Sequence, residues 1–134
     1  MEIPVLEAPG RTPVASSPLA LDASGRLWVA NADSGSVTVV DAAALSVVEE
    51  IPVGREPVSV ASTRDGRMVV ACRGDGTLRV FDAATRAVVG SVAVGRAPAA
   101  VVVPPGTDVA LVSAQGDGAV TVVDLLDLAS APRV

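Results

Sequence analysis

Few residues in this chain are able to do chemistry, and the most regular of them is an arginine. It occurs in one four-residue setting three times, as Gly10-Arg11-Thr12-Pro13, Gly54-Arg55-Glu56-Pro57 and Gly95-Arg96-Ala97-Pro98. A guanidinium is a rigid fork of donors that suits a carboxylate or a phosphate. Two roles fit a repeated fork of this kind. Each arginine pairs with an aspartate or caps a carbonyl within its own repeat, or the three together ring a channel mouth and bind an anion. Arg11, Arg55 and Arg96 are therefore the candidate anion-binding residues, expected on one face with Asp33, Asp75 and Asp117.

The other candidates reduce to structure. Asp33, Asp75 and Asp117 lie on turns, but one carboxylate per turn is too few for calcium, which takes about six to eight oxygens. The chain has no histidine and a single cysteine, which disfavours zinc and haem. Cys72 stands where the neighbouring copies have Asn31 and Ala114, so it reads as packing; no histidine exists to act as its base. Arg73-Gly74-Asp75 spells an adhesion tripeptide, yet Gly-Asp-Gly is a turn device that recurs at Gly116-Asp117-Gly118. No nucleophile, base and orienting group can be assembled, and no glycine-rich phosphate loop precedes a helix. No catalytic residue, metal or cofactor is expected, and the chain reads as a non-enzyme.

Composition narrows the partners. A net charge of −5 and 1% aromatic residues argue against nucleic acid, which needs a basic stripe and stacking side chains. No run approaches a membrane span and no signal peptide opens the chain, so the expectation is a cytoplasmic location as written, or an extracytoplasmic one if a leader lies upstream. Half of the 134 residues are hydrophobic, which is ample for a core. Partners left open are the chain itself, as a homo-oligomer and most simply a dimer, and a protein or small anionic ligand.

The elements that position these residues come from a repeat. The aspartates of Val40-Asp41, Phe81-Asp82 and Val123-Asp124 are 41 and 42 residues apart, and so are Gly35, Gly76 and Gly118. Several short strands in a repeat of this length are the signature of propeller blades. The fold expected is all-β: three four-stranded antiparallel blades, a partial ring that a second chain completes to six. The domain is 1–134, with 14–54, 55–95 and 96–134 as blades. Residues 1–13 are a strand that completes the last blade, because LLDLASAPRV after Asp124 replaces the expected valine-rich fourth strand. Ile3 to Leu6 is then expected to pair with Ala119 to Asp124.

The pattern from Pro57 to Gly95, with Asp65-Gly66-Arg67 and Leu78-Arg79-Val80-Phe81-Asp82 inside it, resembles the YVTN family of β-propeller repeats. Leu27 to Asn31 is similar to the family's signature strand. The resemblance covers essentially the whole chain and implies the fold, while leaving function open. A non-enzymatic scaffold for assembly or for ligand or protein binding, through the loop face or the axis, is the first expectation. A lactonase-like or quinoprotein-like subunit, or a fragment or designed piece of a larger propeller, are the alternatives. Family members usually carry six or seven blades, and no family catalytic residue maps onto this sequence.

Overall fold

The computed structural model describes residues 17–129 and Pro132. Eleven strands form three antiparallel sheets among these residues. The first sheet holds β1 (Leu19–Leu21), β2 (Arg26–Asn31), β3 (Ser36–Asp41) and β4 (Ser46–Pro52) in that order. The second repeats it with β5 (Pro57–Ser62), β6 (Arg67–Cys72), β7 (Thr77–Asp82) and β8 (Val88–Ala93). The third holds β9 (Pro98–Val102), β10 (Val109–Ala114) and β11 (Ala119–Asp124), with a 3-10 turn at Gln115–Asp117. Each sheet is a blade of a β-propeller.

Turn chemistry explains why the strands stop where they do. In each blade the aspartate that ends the third strand folds its carboxylate onto the following turn. Asp41 Oδ1 accepts the amides of Ala43 and Ala44, Asp82 Oδ1 those of Ala84 and Thr85, and Asp124 Oδ1 that of Leu126. Such Asx turns give the backbone an alternative to the ladder and so end the strand. At the opposite end the β6–β7 hairpin turns on Gly76, whose φ of 67° is left-handed. A Cβ there would also stand 2.6 Å from the Gly95 carbonyl oxygen, so only glycine fits. Outer strands β4 and β8 carry a register shift at the same place, after Val39 and after Val80, which twists both blade edges alike.

The core consists of two layers, one between each pair of blades. In the first, Trp28, Val37 and Val39 of one blade meet Val60, Met68 and Phe81 of the next. Trp28 and Phe81 tilt against each other with ring centroids 6.1 Å apart. The second layer packs Val69, Leu78 and Val80 against Val101, Val112 and Val123. Because β6 faces both layers, Met68 to Cys72 are all at 0% exposure, and this strand reads as an unbroken apolar run instead of an alternating one.

Trp28 is also tied to the turn before it. Its indole Nε1 donates to Asp22 Oδ2 at 2.9 Å, while Asp22 Oδ1 accepts the Ser24 hydroxyl and the amides of Ser24 and Arg26. Burial pushes the Asp22 carboxyl up, but these hydrogen bonds outweigh it and hold the group below its ordinary value.

The third blade contributes three strands of its own among the described residues, as expected from the loss of the valine-rich run after Asp124. The chain after β11 does not turn back to make a fourth. Leu125 instead enters the second core layer and Leu128 lies over the second blade, 3.0 Å from where a Cβ on Gly90 would sit. Leu125 is buried there and Leu128 partly so. The expected contribution of residues 1–13, including the pairing of Ile3 to Leu6 with β11, lies outside the described residues.

If blade packing carries the stability, Trp28→Ala should cost about 3–5 kcal/mol, through lost burial and an orphaned Asp22. Urea unfolding measures this, and a loss below about 1 kcal/mol contradicts the packing described.

Candidate functional site

Arg55 and Arg96 occupy the linkers that enter the innermost strands, and both build the same clasp. The Arg55 amide donates to Asp75 Oδ2 at 2.9 Å, its Nε to Asp75 Oδ1 at 3.1 Å, and its Nη2 to the Gly74 carbonyl at 2.9 Å. One repeat later the Arg96 amide donates to Asp117 Oδ2, its Nε to Asp117 Oδ1 and its Nη2 to the Gly116 carbonyl, all at 2.8 Å. The backbone closes the clasp. Arg73 and Gly74 amides donate to the Glu56 and Arg55 carbonyls, and Gln115 and Gly116 amides to those of Ala97 and Arg96. To present these carbonyls, Glu56 and Ala97 take left-handed φ values of 54° and 52°, a conformation that costs an ordinary residue of order 1–3 kcal/mol. Arg11 lies outside the described residues.

Asp33 does not belong to this set. Aligned on the hairpin glycines Gly35, Gly76 and Gly118, the clasp position holds Ser34, Asp75 and Asp117, and Asp33 falls one residue early. A hydroxyl there cannot form the paired charge. The expected pairing holds for Arg55–Asp75 and Arg96–Asp117, while Asp33 lies on the same face beside Arg55 without joining a clasp.

Electrostatics follow the geometry. The Arg55 amide, then its guanidinium and that of Arg79, hold the Asp75 carboxyl below its ordinary value despite burial. For Asp117 the Arg96 side chain leads and its amide follows, in the same direction. Both forks stay open to solvent, with 79% of each arginine side chain exposed.

A cleft of about 690 Å³ opens beside the first clasp, between the β2–β3 turn and the linker after β4. Asp33 and Glu56 line it together with Arg55 and Arg79, so its wall is balanced in charge. A smaller cleft of about 450 Å³ recurs beside Arg96, between the β6–β7 turn and the linker after β8. Arg79 is peculiar to the middle blade. Thr38 and Thr121 hold its position in the others, and Thr121 donates to the Val94 carbonyl at 2.9 Å. Arg79 Nη2 reaches Asp75 Oδ2 at 3.3 Å, whereas its Nε is buried without a hydrogen-bond partner. Gly54 makes room for the pair: a Cβ there would collide with Asp75 Oδ2 and lie 3.2 Å from Arg79 Nε.

Cys72 lies behind this wall, fully buried. Burial pushes its thiol up to about 11, against the opposing pull of Arg79, so it is a packing side chain and not a thiolate at neutral pH. Arg73 of the tripeptide donates to Gln115 Oε1 at 3.1 Å, bridging the hairpins of the second and third blades. Among the described residues no three metal-ligating side chains converge, and no helix is long and apolar enough to cross a membrane.

Sequence reasoning missed the polar contacts between blades. Arg64 in the β5–β6 turn forks onto Asp108, with its Nε 2.8 Å from Oδ1, and Arg86 pairs with Glu49 of the preceding blade. Neither pair repeats, so periodicity carried no signal for them.

The clasp aspartates bind fewer protons folded than unfolded. Their stabilisation is therefore complete above the ordinary carboxyl value of 3.8 and is lost as pH falls through and below it. Asp75→Asn combined with Asp117→Asn should lower the melting temperature at pH 7 and flatten its fall between about pH 5 and 2. An acid limb as steep as that of the unaltered protein contradicts this assignment.

No protein-family model and no curated protein matches the chain. Solved structures do. Hydrazine synthase of Kuenenia stuttgartiensis superposes with a TM-score of 0.76 at 23% identity, over 91% of this chain and 37% of that one. AztD of Citrobacter koseri gives 0.70 at 16% identity, over 97% and 37%, and Hsv2 of Kluyveromyces lactis gives 0.55 at 13%, over 84% and 34%. Likeness at these identities shows the fold alone, and the chain spans a little over a third of the length of the proteins it resembles. It is an arc of β-propeller blades.

Proposed function

We propose that this arc is a non-enzymatic scaffold of the YVTN repeat kind, whose ring is completed by a second copy and whose hairpin face takes a protein or small anionic ligand. The observation that carries the reading is how the charged residues of that face are used. Arg55 and Arg96 brace linker to hairpin through their Nε and Nη2 donors, and the acids near them are partners of arginine or parts of turns. What remains reactive is little. The one thiol is buried, and the cleft wall offers two acids, two arginines and the Ser34 hydroxyl, with no histidine in the chain to activate it.

Ring completion is supported by count. Propellers close with about four to eight blades, and two arcs of three give six. Each arc leaves a blade face at both ends, and the first blade shows Leu19, Leu21 and Val47 to water. Apolar exposure gathered on one face is a mark of an interaction surface.

Light scattering on the purified chain at micromolar concentration, with metal content measured on the same sample, tests this. The expected result is twice the 13.3 kDa of one chain and no stoichiometric metal. A mass of one chain contradicts the ring, and one divalent ion per ring contradicts the non-enzymatic reading. Calorimetric titration of phosphate and dicarboxylates should give heat that Arg55→Ala and Arg96→Ala abolish. No heat from the unaltered protein removes the anion.

A further inference from the structure

The two layers between blades use the same positions, and the repeat says what the open ends would touch. Each blade presents the third residue of its second strand forward, which is Trp28, Val69 or Leu111. Each receives on the fifth residue of its third strand, which is Val40, Phe81 or Val123. Trp28 meets Phe81 in the first layer, and Val69 and Val123 share the second. Leu111 and Val40 are the members left over, and both are only half-buried.

Their surroundings match in kind. Around Val40 runs an apolar row, Leu21, Leu27, Val40 and Val47, paired strand to strand across the first blade. Around Leu111 runs Val102, Leu111 and Val122 across the third. The equivalent rows of the middle blade are in the core: Met68 and Phe81 at 0% exposure on one side, Val69 and Val80 at 0% on the other.

A third correspondence lies at the rim. Arg86 and Leu128 hold the same place in the turn after the third strand, and each touches the outer strand of the blade before it, at Glu49 and at Gly90. The matching residue of the first blade is Leu45, which is 85% exposed. A leucine in the position of two contact residues marks where a preceding blade would sit.

Resting on the reading that a second copy completes the ring, we infer that the copies join head to tail, the first blade of one protomer against the third blade of the other, so that Val40 meets Leu111 of the partner subunit. This is the contact already made twice inside the chain, continued across two identical interfaces. The two central rows are apolar and carry no charge to leave unpaired, and beside the first of them Asn31 donates to Thr38 and Ser36 to Glu50 within the blade.

Val40→Cys and Leu111→Cys, prepared separately in the full chain, test the pairing with a short bis-maleimide. Cys72 is buried and does not compete. Cross-linked dimer should form when the two variants are mixed, in roughly half of the protein, the share that random pairing puts into mixed dimers. Neither variant alone should cross-link. Cross-linking of Val40→Cys by itself means that first blades pair face to face, and overturns the inference. So does a mixture that light scattering shows to be dimeric but that does not cross-link, and in that case the ring reading stands. A single-chain mass throughout overturns both.

Discussion

Apolar side chains on both faces of a sheet must be covered from both sides, and this requirement shapes the whole molecule. A blade covered on one face only leaves valines and leucines in water at roughly 25 cal/mol for every Å² exposed. The middle blade meets the requirement fully, since every residue from Met68 to Cys72 is buried. The outer two meet it on their inner faces. Trp28 against Phe81 on one side, and Val69 with Val123 on the other, fix the spacing between blades, and the turns and linkers hold the sheets to that spacing.

Polar residues serve the stack in two ways. Asp41, Asp82 and Asp124 end the third strand of each blade, and the Arg55 and Arg96 clasps fasten the linker that enters the next blade to that blade's own hairpin. Exposed ion pairs of this kind contribute little individually, because water and salt screen them. Their value is geometric: each clasp sets where an innermost strand begins, and the left-handed Glu56 and Ala97 show that the backbone bears strain to reach it. A residue repeated for this reason carries no information about a ligand, which is why the sequence yields architecture more readily than activity.

Much of the fold was legible because its causes are local and repeat. Valine-rich runs, turn glycines and the strand-ending aspartates carried the strands and their order. The clasp was legible as one of two roles for the arginines. Asp33 misled because it was matched by residue type, whereas the hairpin glycine sets the register and puts Ser34 there. The left-handed Glu56 and Ala97 could not be foreseen, since neither residue type favours that region. The path of Leu125 and Leu128 was hidden too, because it answers to a gap over the second blade that only the packed structure reveals.

Burial of the arc's end faces against a second copy would slow the escape of their amide protons. Amide hydrogen exchange compared between dilute and concentrated protein addresses it directly, because association protects strands near a contact by mass action. Slower exchange on concentration is predicted in β2, β3, β10 and β11, with β6 and β7 unchanged. Exchange that is the same at both concentrations, or that slows equally in all three blades, would contradict it.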